Sequence, residues 1–323
     1  MRLKLAVIGT KFISKLFTHA AILSGMYEPY AICSRSRERG VSYVREFGFQ
    51  KAVQTVEQVA SDPEVDVVYI ATPNALHFEH AETCLRTGKH VIVEKPSFAD
   101  TAQLKQMQAL AAERGVFLFE AMRSIHNPNY AEIKRQLKRI GQIRYARFSL
   151  MRDFLHQKDP VTGAPSAVFL PESSGGCNYH LGVYGINAAL YFFGNPEEVR
   201  YTSLKSSTGV DIVGLCTLLY PGMVCIVTSS IVSRDVLPNE IQGEEGTITM
   251  DYVVTPQAAD LCLAGAKEPL AVRRTDDDMR YEAEAFASII QTKDRNAHDV
   301  LTAAMTSSLE ILEECRRQSS AVV

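Results

Sequence analysis

The sequence predicts two unlike domains: a doubly wound parallel α/β domain over residues 1–122, then an α+β domain over 123–323 built on a large, mainly antiparallel sheet. Three observations carry this. Short apolar runs alternate with amphipathic helical patterns through the first third of the chain. Near Arg123 the pattern changes to long strand-like segments joined by tight turns. At 323 residues the chain is long enough for two cores.

The elements of the first domain follow in order. Leu5–Ile8 reads as a buried strand, and Phe12, Ile13, Leu16, Phe17 and Ala20 then recur at helical spacing. Tyr30–Ser34 is a second strand and Ser36–Phe47 a helix with a polar face. VDVVYIATP (65–73) is apolar on both faces, as a parallel strand covered on both sides must be. The helix Ala75–Thr87 stops at Gly88, the strand HVIVEKP spans 90–96, the helix Thr101–Arg114 stops at Gly115, and VFLFEA (116–121) is again a strand. Strands separated by helices give a Rossmann-like sheet.

Beyond Arg123 the sequence predicts a helix around Asn129–Arg139 and strands at 143–154, 199–206, 211–220 and 223–233. Tyr220-Pro221-Gly222-Met223 has Pro and Gly where a type II turn needs them, and GEEGTITM (243–250) adds a turn and a strand. A Pro/Gly/Ser-rich stretch, 159–177, is too long for a structural connector and is a candidate active-site loop. A helix from Tyr179 to Phe193 follows it. Helices at 279–292 and 298–317 close the chain and are expected to pack back; Val300, Leu301, Met305, Leu309 and Leu312 sit at core spacing.

Composition narrows the function. The chain is 46% hydrophobic and 22% charged with a net charge of −3, which offers no basic field for nucleic acid. Seven cysteines lie scattered without a C-x-x-C pair, pointing to reduced thiols and a cytoplasmic setting. No apolar run approaches the ~18 residues of a membrane helix, and the opening MRLKLAVIG is too short in its apolar part for a signal peptide. His77 and His80 stand i, i+3 with no third ligand at metal-site spacing, so no metal is expected.

Four stretches could carry chemistry. In VIGTKFIS the strand meets Gly9, which permits a tight turn into a helix whose N–H groups could hold a phosphate, over Thr10, Lys11, Phe12 and Ile13. The G-x-G-x-x-G fingerprint is degenerate here: its three positions read Gly9, Lys11 and Ser14. Ser14 is small enough for the packing role of the third glycine; Lys11 must turn away or reach a phosphate oxygen. After the second strand, Ser34, Arg35 and Arg37 stand where NAD-preferring folds place a carboxylate, so a 2′-phosphate, and hence NADP over NAD, is favoured. Thr72, Pro73, Asn74 and His77, and Glu94 with Lys95, lie at the carboxyl ends of two parallel strands, the edge where ligands collect.

Together the VIGT turn, Ala71–His77, Glu94-Lys95-Pro96, FEAMRSIHNP (119–128) and GGCNYHLGVYGINA (175–188) resemble the Gfo/Idh/MocA oxidoreductase family, nearly end to end. The resemblance implies hydride transfer between a nicotinamide and one hydroxyl or carbonyl of a sugar, cyclitol or related polyol. It implies that Lys95 contacts nicotinamide and substrate and that Pro96 is cis. The family's stretch G-G-x-x-x-D-x-G-x-x-x-H has its acid and histidine four apart, on one helix face. Here the pair is His180 and Tyr184, and the tyrosine resembles the glucose–fructose oxidoreductase and dihydrodiol dehydrogenase branches, where it acts as acid. Histidine at the first position departs from the family, leaving open whether His180 orients the substrate or shares the proton with Tyr184. Arg123, His126 and Asn127 are substrate-contact candidates. A homodimer or larger assembly is expected from an uncovered sheet face. A non-catalytic dinucleotide or metabolite sensor, and a redox-assisted NAD-dependent glycosidase, are the alternatives the same resemblance leaves open.

Overall fold

The computed structural model describes residues 1–156, 166–171, 175–271 and 277–321. The first elements are β1 (Leu3–Ile8), α1 (Phe12–Ser24), β2 (Tyr27–Cys33), α2 (Arg37–Phe47), β3 (Lys51–Val53), α3 (Val56–Ala60), β4 (Val67–Ile70), α4 (His77–Arg86), β5 (His90–Glu94), α5 (Thr101–Glu113) and β6 (Leu118–Ala121). All six strands pair in parallel, in the order β3-β2-β1-β4-β5-β6. The order reverses between β1 and β4, which opens a crevice beyond their carboxyl ends.

Local chemistry sets the boundaries. Ser36 caps α2 by accepting the Arg39 N–H, and Asp100 caps α5 by accepting that of Gln103 at 2.8 Å. The helix expected over 75–87 begins with a 3₁₀ turn, Asn74–Leu76, before α4. The sequence reading passed over β3 and α3. The first is a three-residue edge strand, and the second is a single turn made stable by a capping box between Thr55 and Gln58.

The chain continues through α6 (Arg123–His126), α7 (Pro128–Gln136), β7 (Ile143–Met151), a π-helical turn over Asn178–Gly182, and α8 (Val183–Phe193). Then come β8 (Glu198–Lys205), β9 (Asp211–Tyr220), β10 (Met223–Ser230), β11 (Asn239–Gly243), β12 (Gly246–Met250), β13 (Ala259–Leu263), β14 (Ala266–Pro269), α9 (Met279–Thr292) and α10 (Arg295–Ala321). The eight strands form one sheet, β14-β13-β12-β11-β7-β10-β9-β8, antiparallel except where β7 meets β10. The Tyr220–Met223 turn joins β9 to β10, with Gly222 at φ +71° as a type II turn requires. Residues alternate buried and half-buried along most of β10, so one face of the sheet is covered and the other is not. The loop expected over 159–177 falls partly at 159–165 and 172–174, outside the described residues.

The chain divides into two compact units, Met1–Arg123 with Asp277–Met305, and Ser124–Asp276 with Thr306–Val323. In the first, Phe17 of α1 stacks on Tyr69 of β4 with centroids 3.8 Å apart, and Phe286 of α9 stacks on Phe119 of β6 at 4.6 Å. In the second, Phe192 of α8 stacks on Phe148 of β7 and on Tyr130 of α7. No helix among the described residues is long and apolar enough to cross a membrane.

Candidate active site

In the first unit the turn after β1 is built for close approach. Gly9 has φ +114°, and a Cβ there would stand 2.6 Å from the Ala71 carbonyl oxygen. Ser14, fully buried, packs its hydroxyl 3.3 Å from the same point and so takes the role of the third fingerprint glycine. Lys11 is the N-cap of α1 in ordinary extended backbone, φ −80°, with its side chain exposed. A lysine is unstrained in that backbone conformation. No side chain caps α1 and no acidic residue stands in its first turn. The helix therefore presents its first N–H groups and positive dipole end without competition, and these features fit a dinucleotide pyrophosphate. Thr10 and Ile13 are half-buried beside the turn and Phe12 is exposed.

Ser34 is buried at the end of β2, its N–H donating to Val53, while Arg35 and Arg37 extend into solvent. Two guanidiniums and no carboxylate thus follow β2 as far as residue 37. Ser36 is occupied as the α2 cap.

His77 and Glu94 are both buried. His77 is fully buried; its Nε2 lies 2.9 Å from the Thr72 carbonyl oxygen and its Nδ1 3.2 Å from those of Pro96 and Ser97. Burial holds its pKa below the ordinary imidazole value. The ring ties the segment after β4 to the segment after β5 from inside. Glu94 accepts the Tyr69 hydroxyl at 2.5 Å and the Lys95 N–H at 3.2 Å. Burial raises the pKa of Glu94, with Tyr69, Lys95 and Arg123 opposing. Lys95 itself is half-exposed at the strand end, and its bond to Pro96 is cis, as the resemblance implies. Pro73 is exposed; Thr72 and Asn74 are half-buried. Among the described residues no group of three or more His, Cys, Asp or Glu could hold a metal.

Arg123, after β6, pairs with Asp278 at 3.1 Å. Behind this edge sits a residue the sequence reading missed, Glu282 of α9, fully buried and electrostatically coupled to Glu94, Arg123 and Asp278. Its signal was available: Glu282 lies three positions after Met279 and four before Phe286, on the stripe that α9 buries.

In the second unit His180 and Tyr184, both half-exposed, straddle the junction of the π turn with α8. The expected helix over Tyr179–Phe193 therefore starts with a wider turn, Val183 N–H bonding back to Asn178. Such turns are frequent at functional sites. Gly182 leaves room for the Asn178 side chain within the turn, since a Cβ there would meet Asn178 Oδ1 at 2.3 Å. Phe154 sets the His180 ring edge to face at 5.4 Å. Asn127 is buried and caps α7 by accepting the Asn129 N–H at 2.9 Å. His126 is partly buried, and burial pushes its imidazole down to about 4.

Known proteins share this fold. Residues 3–122 match the family described as "Oxidoreductase family, NAD-binding Rossmann fold", and residues 130–249 match the "GFO/IDH/MocA C-terminal domain". The chain is 32% identical to a scyllo-inositol 2-dehydrogenase (NADP(+)), IolU, of Bacillus subtilis (strain 168), covering 99% of this chain and 98% of that one. It is 29% identical to the trans-1,2-dihydrobenzene-1,2-diol dehydrogenase of Mus musculus, over 98% of this chain and 97% of that one. Its fold is that of KijD10, a 3-ketoreductase from Actinomadura kijaniata solved with NADP and TDP-benzene, with a TM-score of 0.86, 24% identity and 98% of each chain covered. The chain belongs to the Gfo/Idh/MocA oxidoreductase family and is an NAD(P)-dependent dehydrogenase or reductase.

Proposed function

We propose that this chain moves hydride between NADP(H) and a secondary hydroxyl or carbonyl of a sugar, cyclitol or related polyol. The observation that carries the cofactor choice is the end of β2, where Arg35 and Arg37 are exposed and Ser34 replaces the carboxylate that an NAD-preferring site needs. The full-length relative from B. subtilis, whose name specifies scyllo-inositol and NADP(+), supports both halves of the reading.

A nicotinamide bound at the Lys95 end of β5 supplies or accepts the hydride. In this assignment the Tyr184 phenol gives or takes the proton at the substrate oxygen. Lys95, which the family resemblance implies contacts nicotinamide and substrate, is assigned to assist that proton transfer. His180 orients the substrate or shares that proton. Gly9, with residues Thr10–Ile13 at the α1 N-terminus, holds the pyrophosphate; Thr72, Pro73 and Asn74 line the approach. Arg123 and His126 are assigned to the substrate side. The half-buried face of the β7–β10 region is assigned to a homodimer or larger assembly. Seven unpaired cysteines suit a reducing cytoplasm.

Thermal unfolding with each nucleotide tests the reading, because a ligand that binds only the folded state raises apparent stability in proportion to its affinity. A larger upward shift with NADPH than with NADH is expected, followed by NADPH oxidation with an inosose or a ketose. A larger shift with NADH overturns the cofactor assignment, and a shift without turnover on any polyol or ketone favours a sensor.

A further inference from the structure

Glu282 is the buried charge that the reaction scheme does not use. It is fully buried, and neither carboxyl oxygen has a hydrogen-bond partner among the described residues. An isolated carboxylate cannot stay ionised in such surroundings. Its place is set by Tyr27 of β2, whose hydroxyl donates to the adjacent Ala283 carbonyl at 2.8 Å, by Phe286 one turn on, stacked on Phe119 of β6 at 4.6 Å, and by Asp278 one turn back, paired with Arg123; the Glu94 charge reaches it from the end of β5. Around Glu94 stand Tyr69 of β4, which donates to it, Lys95, and Glu120 of β6, whose carboxyl accepts the Ser97 N–H at 2.9 Å. Arg123 already meets Asp278. Glu94 and Glu282 therefore share part of one guanidinium, while Lys95 acts on Glu94 and Glu120, and two adjacent carboxyls in such a site cannot both ionise.

We propose that Glu282 is a positioning residue for the Lys95 end of β5, forming with Glu94 a buried carboxyl pair that carries one negative charge and one proton between them. Glu94, held by Tyr69 and the Lys95 N–H, takes the charge; Glu282, without a donor, takes the proton. The pair then contributes one negative charge at the Lys95 end of β5, and the shared proton answers to any positive charge brought to that strand end. The second consequence rests on the reading that the nicotinamide ring binds there, since the oxidised ring carries a positive charge that the reduced ring lacks.

The test compares the full chain with its Glu282→Gln variant in two measurements. Without nucleotide, unfolding temperature is followed from pH 5 to 9. A shared proton raises one folded pKa of the pair above its unfolded value, so the native protein loses stability as pH rises through that window. The amide cannot titrate, so the variant gains stability relative to the native protein as pH rises; a difference that does not change with pH overturns the pair. Calorimetric titration with NADP+ and NADPH, in two buffers of different ionisation heat at one pH, then counts protons. The native protein is expected to release more proton on binding NADP+ than NADPH, and the variant to show no difference while binding both. Equal proton counts in the native protein overturn the positioning role, and they do so even if the variant fails to fold. Absence of binding heat with either nucleotide defeats the cofactor reading and the positioning role with it, while the unfolding series still reports on the pair.

Discussion

His77 places its Nε2 2.9 Å from the carbonyl oxygen of Thr72 while its other ring nitrogen faces Pro96 and Ser97. One buried imidazole thus bridges the two segments that follow β4 and β5. A neutral imidazole has one N–H, so it donates to a carbonyl on one side and packs against the other; alanine leaves that carbonyl unpaired and a cavity behind it. Unpaired buried groups cost about 1–3 kcal/mol each, so a loss of roughly 2–4 kcal/mol is expected. The measurement is the urea midpoint of His77→Ala, joined to its nucleotide affinity. A loss below about 0.5 kcal/mol, the range of an ordinary surface change, means the bridge does not hold these segments.

His90 gives a pH dependence with a definite sign. Its Nδ1 accepts the Phe117 N–H at 3.0 Å, which requires a neutral ring, and burial lowers its pKa from 6.5 to about 4. The unfolded chain binds a proton that the folded chain does not, so stability is full above pH ~6.5 and falls as pH drops toward 4. The shift corresponds to at most about 3 kcal/mol, and partial exposure of the ring reduces the expectation to roughly 2. His90→Gln, which keeps an acceptor but does not titrate, should flatten that part of the acid limb. An unchanged limb would show that His90 does not control it.

Much of this was legible in the sequence, for physical reasons. β1, β4 and β5 are apolar on both faces, a pattern that only a sheet covered on both sides produces, and β9 was read to its residue limits at 211–220. The π turn was not legible. One extra residue in a single turn leaves the apolar spacing nearly unchanged, so the pattern of residues does not reveal it. The inward turn of His77 was equally hidden, because its partners are backbone carbonyls that carry no residue code. Glu282 was visible as a charge on an apolar stripe. Its neighbour Glu94 is 188 positions away, so nothing local connected them.

Gly182→Ala tests the π turn. The added methyl would enter 2.3 Å from Asn178 Oδ1, and overpacking of this kind costs about 1–3 kcal/mol. The variant should lose that stability and most of its turnover, since His180 and Tyr184 take their positions from this turn. Adding Asn178→Ala should restore part of both. If the two changes are simply additive in a double-mutant cycle, the contact is not what demands glycine.

Arg35 and Arg37 should separate the two nucleotides. Each exposed guanidinium is expected to contribute about 1 kcal/mol toward a 2′-phosphate, so Arg35→Ala or Arg37→Ala should weaken NADPH roughly five- to ten-fold and leave NADH nearly unchanged. Ratios of dissociation constants, measured at fixed ionic strength, decide it. Equal weakening of both nucleotides would mean the arginines act on a part common to the two.

Tyr184→Phe removes one oxygen from a half-exposed ring and leaves the packing of α8 intact. If that oxygen carries the proton, kcat falls by about 10²–10⁴, the range for a lost general acid, while KM and the thermal shift with NADPH stay near their native values. Lys95→Met should lower kcat too, and should also weaken nucleotide binding, because its ammonium is assigned to both. His180→Asn keeps a hydrogen-bonding group without a titrating one. A smaller loss there than in Tyr184→Phe, with a raised KM, assigns His180 to orientation. A larger loss in kcat, with the acid limb of the pH profile abolished, reverses the roles and makes the imidazole the proton carrier.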